Sequence, residues 1–274
     1  MALIVLTSAG GAPGVTTTAV GLARCWSRDT LLVDADRQPT QAVLAGYLNG
    51  ATAAGRGLTG LARAHRERRA IAEELLLHCL LLGEDPDHQR RFLPGFSHPG
   101  SPALFAPIWP ELVTVLSQLR DTGLTVIVDA GRVGDGLPSA LVAEADAVLL
   151  VTRTSLRDLA GVRLHLPSVQ QRIESLTTGT QLGLVLVGAG QPYGAREISQ
   201  QFHQPVWASI AHQPRAARVW SDGVPPGRWF AYSPLVRSVR AATLAITDRL
   251  TRPELVLARR AAGETAGADE TRHP

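Results

Sequence analysis

The opening 23 residues restrict the fold of this chain more than any later segment. Leu3-Ile4-Val5-Leu6-Thr7 is an unbroken apolar run, the pattern of a strand buried on both faces. It runs into Ser8-Ala9-Gly10-Gly11-Ala12-Pro13-Gly14-Val15-Thr16-Thr17-Thr18 and then the helical stretch Ala19-Val20-Gly21-Leu22-Ala23. A strand, a glycine-rich turn and a helix opened by hydroxyl residues aim backbone N–H groups and a positive helix end at phosphate. Such a loop ordinarily adds a lysine that reaches the terminal phosphates. Here that residue is Val15, and the chain has no lysine: all 27 Lys+Arg residues are arginine.

Further apolar runs recur at Thr30–Val33, Leu124–Val128, Ala147–Thr152, Leu182–Val187 and Pro205–Ser209. Helical patterns separate them at Thr16–Ser27, Pro39–Leu48, Leu58–Leu82, Pro107–Arg120, Ser155–Leu176, Ala195–His203, Pro214–Ser221 and Pro234–Leu250. Strands alternating with helices predict parallel βαβ units, hence an α/β three-layer sandwich with a mostly parallel central sheet. Gly83–Pro110 reads as a long irregular connection with a short strand at Arg91-Phe92-Leu93. One domain is expected over residues 1–252, followed by a polar, patternless tail at 253–274 expected to be disordered.

Composition narrows the function. A net charge of +3 is too small to predict a nucleic-acid binder. The basic run Arg63–Arg69 is interleaved with and followed by Glu67, Glu73 and Glu74, which favours a solvated helix face over an anionic-ligand site. Two cysteines, Cys25 and Cys79, cannot make a disulfide framework and fit a reducing cytoplasm. The first strand has neither the basic start nor the cleavage site of a signal peptide, and no 18-residue uncharged stretch exists to span a bilayer. The histidines lack zinc-ligand spacing.

Ligands of a parallel sheet bind beyond the carboxyl ends of its strands, and two more strands end in acids: Val33-Asp34-Ala35-Asp36 and Val128-Asp129. Beside a phosphate loop, a strand-terminal aspartate holds Mg²⁺ through water while the loop hydroxyl, here Thr16, binds it directly. Asp129 fits that role. Asp34 is a second candidate metal ligand, and Asp36 a candidate for orienting an attacking water. Arg37 and Arg132, just beyond these acids, are the cations that could compensate for the missing lysine. As alternatives they are exposed loop residues or partners of Asp36 and Asp129.

These residues resemble the deviant Walker A family of ParA- and MinD-like ATPases, whose loop reads Lys-Gly-Gly-x-Gly-Lys-Thr-Thr. Gly10, Gly11, Ala12, Pro13, Gly14, Val15, Thr16 and Thr17 follow it at the same spacing. The resemblance continues through Val33–Asp36, Asp129, Ala145–Thr152, Pro205-Val206 and Pro214–Ala217, and covers about residues 1–250. It implies a P-loop fold, ATP and Mg²⁺ as ligands, a homodimer closing over nucleotide, and protein partners in a positioning machine. Membrane or nucleic-acid binding also occurs in the family but is not favoured here. The Gly83–Pro110 connection and Leu93-Pro94-Gly95 look most like the TadZ/CpaE branch, which localises Tad-type pilus secretion systems.

The departures from the family concern charge. Its cross-dimer lysine is Gly10, its phosphate-reaching lysine is Val15, and its third motif glycine is Ala12. The strand end Leu186–Ala189 supplies no side-chain amide to read adenine. One charge pair at ~4 Å is worth about 4 kcal/mol at an effective dielectric near 20, which is about a thousandfold in rate. The expectation is a degenerate scaffold with absent or very slow hydrolysis. Two alternatives stay open: a slow Mg-ATPase using arginine, and a nucleotide-free interaction module.

Overall fold

The computed structural model describes residues 2–11, 13–134, 136–177 and 179–251; Ala12 and the predicted disordered tail lie outside the described residues. An eight-stranded sheet forms the centre, in the order β3-β4-β2-β5-β1-β6-β7-β8. The strands are β1 (Leu3–Ser8), β2 (Thr30–Asp34), β3 (Leu80–Leu81), β4 (Arg90–Leu93), β5 (Thr125–Arg132), β6 (Ala147–Arg153), β7 (Gln181–Val187) and β8 (Val206–Ile210). All pair in parallel except β3, which runs antiparallel to β4. The sandwich expected from the strand and helix pattern is therefore the observed fold.

The period-2 geometry of a strand divides the core in two. Leu3 and Val5 of β1 enter a cluster that covers one face, while Ile4 and Leu6 enter the cluster on the other. The first face is covered chiefly by α2 (Leu58–Arg66), α3 (Ile71–Glu74), α5 (Trp109–Leu119), α6 (Ser139–Glu144), α7 (Leu156–Leu176) and α8 (Ala195–Phe202), after a short α4 (Ser101–Phe105). The second is covered by α1 (Val15–Cys25), α9 (Pro214–Ser221) and α10 (Pro234–Thr251). With Val236, Val239 and Ile246 buried, α10 packs on the sheet. No described helix is long and apolar enough to cross a membrane.

The sheet ends are short or covered. β3 has only two residues, and at β8 Arg249 Nη2 donates to the Val206 carbonyl at 3.2 Å while its guanidinium lies 5.6 Å from the Trp207 ring.

Three expectations need correction. The predicted helix Leu58–Leu82 breaks at Arg68, which adopts a left-handed φ of 59°; beyond the break the chain forms the single turn α3 and then β3. Pro39–Leu48 forms only a π-type turn at Val43–Tyr47, because the left-handed Gln41 (φ 51°) bars helix before it and the left-handed Asn49 (φ 52°) ends it. The Gly83–Pro110 connection carries the expected short strand as β4, but it also contains α4 and a 3-10 turn at Ala106–Ile108 leading into α5.

Candidate functional site

β1 lies between β5 and β6. The chain leaving β1 passes over one face to β2, and the chain leaving β5 passes over the other face to β6. Where connections part in this way the strand ends leave a crevice. A cleft of about 410 Å³ opens there, lined among others by Gly14, Thr16, Thr17, Asp36, Arg132 and Arg153.

The phosphate loop forms its floor. Gly11 and Gly14 sit at φ 67° and 95°, conformations open to glycine at little steric cost. Gly14 heads α1 with no side-chain cap and no acid in the first turn, which leaves the helix's first N–H groups and its positive dipole end to a ligand. Gly11, Pro13, Val15 and Thr17 line the cleft with Gly14 and Thr16, whereas Gly10 does not. A β-carbon built on Gly10 meets nothing within 4 Å. Val15 is only 6% exposed and belongs to the core beneath α1. The place of the motif lysine is thus filled by an apolar side chain packed downwards.

The Thr16 hydroxyl donates to the buried Asp129 carboxylate, which also accepts from the Gly131 N–H at 3.0 Å. Both bonds favour the charged form, yet burial outweighs them and lifts Asp129 to about 6. Asp34 stands opposite Asp129 in the β2–β5 register. Its carboxyl accepts from the N–H groups of Asp36 (3.2 Å) and Gly95. Burial first, and the Asp129 charge second, push it up to about 8. Gly95 is required there, since its β-carbon would fall 2.6 Å from Asp34 Cγ. Asp36 is raised by burial, while the Gln38 N–H and the Arg132 charge act against the rise.

The Thr16 hydroxyl and the Asp129 carboxylate bonded to it are hard oxygen donors of the kind that suit a divalent cation such as Mg²⁺, although no group of three acidic, histidine or cysteine side chains gathers around a metal position among the described residues. Thr16 would hold it directly and Asp129 from behind, with Asp36 facing the same cleft. Bound there, the ion would screen phosphate charge. Asp34, tied to two backbone N–H groups, does not line the cleft. Arg37 is likewise outside it: the side chain is exposed and donates to the Gly136 carbonyl at 3.1 Å, bracing the loop after β5. Arg132 does face the cleft. So does Arg153, at the carboxyl end of β6. It is absent from the candidates drawn from sequence, although it meets the same strand-end criterion as the aspartates.

No protein-family model matches the chain, and no curated protein matches it in sequence. Solved structures do match in shape. A ParA family ATPase from Chlorobium tepidum TLS superposes with a TM-score of 0.69 at 16% identity, over 89% of this chain and 98% of that one. The cell division protein MinD of Aquifex aeolicus gives 0.66 at 15%, over 90% and 98%. The septum site-determining protein MinD complexed with Mg-ADP, from Pyrococcus horikoshii OT3, gives 0.64 at 17%, over 89% and 95%. Likeness across nearly the whole of both chains, at this low identity, establishes the architecture: the chain has the fold of the ParA/MinD P-loop ATPases.

Proposed function

We propose that this protein is a degenerate ParA/MinD-type scaffold, which holds Mg-nucleotide in the cleft, hydrolyses it very slowly or not at all, and positions a larger assembly. One observation carries the reading: the Thr16–Asp129 pair is intact while the neighbouring lysine position is a core valine. The backbone cradle and the metal side of the site persist, and the cation that would stabilise charge in the transition state is missing. The structural neighbour complexed with Mg-ADP supports the choice of ligand.

The test is calorimetry with ATP, with and without Mg²⁺, followed by a phosphate-release assay. Mg-dependent binding with negligible turnover is expected. Turnover comparable with lysine-bearing ATPases, abolished by Asp36→Ala, overturns the scaffold reading. Absence of binding makes the chain a nucleotide-free interaction module.

The position of Arg132 and Arg153 on the cleft favours a second reading, a slow Mg-ATPase in which arginine serves for lysine. It requires turnover that falls in Arg132→Ala or Arg153→Ala. The assembly we infer is a cytoplasmic one reached through protein partners, in the manner of the TadZ/CpaE branch at pilus-type secretion machines. In a homodimer closing over nucleotide, Gly10 would contribute no cross-interface cation. ATP-dependent dimers would then depend on Arg132 and weaken with salt, which sedimentation of Arg132→Ala at two ionic strengths measures.

A further inference from the structure

A second cavity, of about 530 Å³, lies away from the phosphate loop, between the last turn of α1, the Val43–Tyr47 turn, the loop after α9 and the first half of α10. Its wall is chemically divided. One part is apolar, with Trp220, Phe230 and Val236; the other carries Arg24, Arg240 and Tyr47.

The polar part lacks a partner for its charge. Arg24 Nη2 donates to the Glu84 carbonyl at 2.9 Å, but Nη1 is buried without any hydrogen-bond partner among the described residues. A buried guanidinium N–H left unpaired is costly. Tyr47 Oη turns to the same spot: a β-carbon built on Gly83 would lie 3.2 Å from Arg24 Nη1 and 3.3 Å from Tyr47 Oη. Only the absence of a side chain at Gly83 keeps that spot open. Arg240, from α10, hydrogen-bonds the Cys25 thiol, whose pKa burial raises despite the nearby arginines, so the thiol supplies no countercharge. Among the described residues no carboxylate lies within ion-pair distance of Arg24 or Arg240. Asp85 and Asp222, on the neighbouring segments, are engaged by Arg90 and Arg218 at 2.9 Å each.

We propose that this cavity is a binding site for a small organic anion, its oxyanion head held by Arg24, Arg240 and the Tyr47 hydroxyl and its apolar body lying against Trp220, Phe230 and Val236. Arg24 Nη1 and the Tyr47 hydroxyl face one spot beside Gly83, and Arg240 lines the same cavity; guanidinium and phenol donors on one wall suit phosphate or carboxylate. The volume is that of a small-molecule pocket. Trp220 also lines the phosphate-loop cleft, and its ring packs against Gly21 of α1. The ligand would therefore press on the wall between the two cavities.

The test uses the full chain, with phenyl phosphate and benzoate titrated by calorimetry and inorganic phosphate as comparison. At least one aryl anion should bind once per chain, about 10-fold or more tightly than inorganic phosphate. Arg240→Gln should weaken it about 10-fold, the effect of losing one charge-assisted hydrogen bond. Thr16→Ala, in the other cleft, should leave it unchanged. Arg24→Gln should weaken it also, but Arg24 holds the Glu84 loop and its loss could unfold that corner; the exposed Arg240 decides the matter. No binding of either aryl anion overturns the proposal, as does an affinity no greater than that of inorganic phosphate. Binding that survives Arg240→Gln but is lost in Thr16→Ala also overturns it, by placing the anion in the phosphate-loop cleft.

Discussion

Val15→Lys separates the two roles of one position, and its effects derive from where Val15 lies. The side chain is 6% exposed and packs in the cluster beneath α1 while also lining the cleft. Removing a buried valine from the core costs about 2 kcal/mol, or about 4–8 °C in Tm for a domain of this size. The new ammonium can escape burial only towards the cleft. There, at ~4 Å from a phosphate oxygen and an effective dielectric near 20, it gains about 4 kcal/mol of attraction. Screening and the loss of side-chain freedom reduce that figure, so a gain of about 10-fold to 100-fold in Mg-ATP affinity is expected, equivalent to about 1.4–2.8 kcal/mol. The variant should thus melt below wild type without nucleotide and recover most of the difference with saturating Mg-ATP, through linkage. Turnover should stay negligible, because Gly10 still supplies no cation. Thermal denaturation with and without Mg-ATP, alongside calorimetry, reads both effects. An unchanged apo Tm would show that Val15 does not support the core; unchanged affinity would show that no phosphate reaches this part of the loop.

Other substitutions probe the acids. Asp34 titrates near 8 when folded, against an ordinary value of 3.8. The folded chain therefore keeps a proton that the unfolded chain has released, and stability falls as pH rises from about 4 to about 8. Asp34→Asn, which mimics the protonated acid, should gain on wild type by up to about 1.4 kcal/mol per pH unit across that window, measured by urea unfolding in chelator; a difference constant with pH refutes the assignment. Gly131→Ala places a β-carbon 2.2 Å from Asp36 Cγ at a φ of 60° and should destabilise by about 1–3 kcal/mol in the same assay. Thr16→Ala removes a hydrogen bond that lowers the Asp129 pKa. Its carboxyl should titrate above the wild-type value by NMR, and the Mg²⁺ dependence of ATP affinity should disappear.

The sheet and the Thr16–Asp129 pair were legible because both arise from local patterns. Apolar runs of strand length mark a sheet covered on both faces, and an acid closing such a run must emerge at the carboxyl edge beside the loop. Features that depend on tertiary contact were not legible. Arg37 and Arg132 look equivalent in sequence, each just beyond an acidic strand end, yet Arg37 reaches across to the Gly136 carbonyl and Arg132 stays at the cleft. The helical periodicity of Leu58–Leu82 hid the break at Arg68. After it, Arg69 reaches Glu67 at 2.9 Å and also pairs with Glu74, while Arg63, Arg66, Arg68 and Arg69 stay exposed, as the interleaved acids imply. Gly95 carries no chemistry of its own, and only the close approach of Asp34 shows why a side chain is excluded there.

The two ends of the sheet bear on whether the chain resists aggregation. An open parallel sheet offers rows of unpaired backbone groups on which a neighbouring chain can add a strand and begin a fibre. Here β3 is too short to template one, despite the exposed Leu81 upon it, and it reverses the strand direction at that border. At the opposite border Arg249 occupies a carbonyl of β8 and sets a charge over Trp207. Both borders of the described sheet thus disfavour the addition of a strand from another chain.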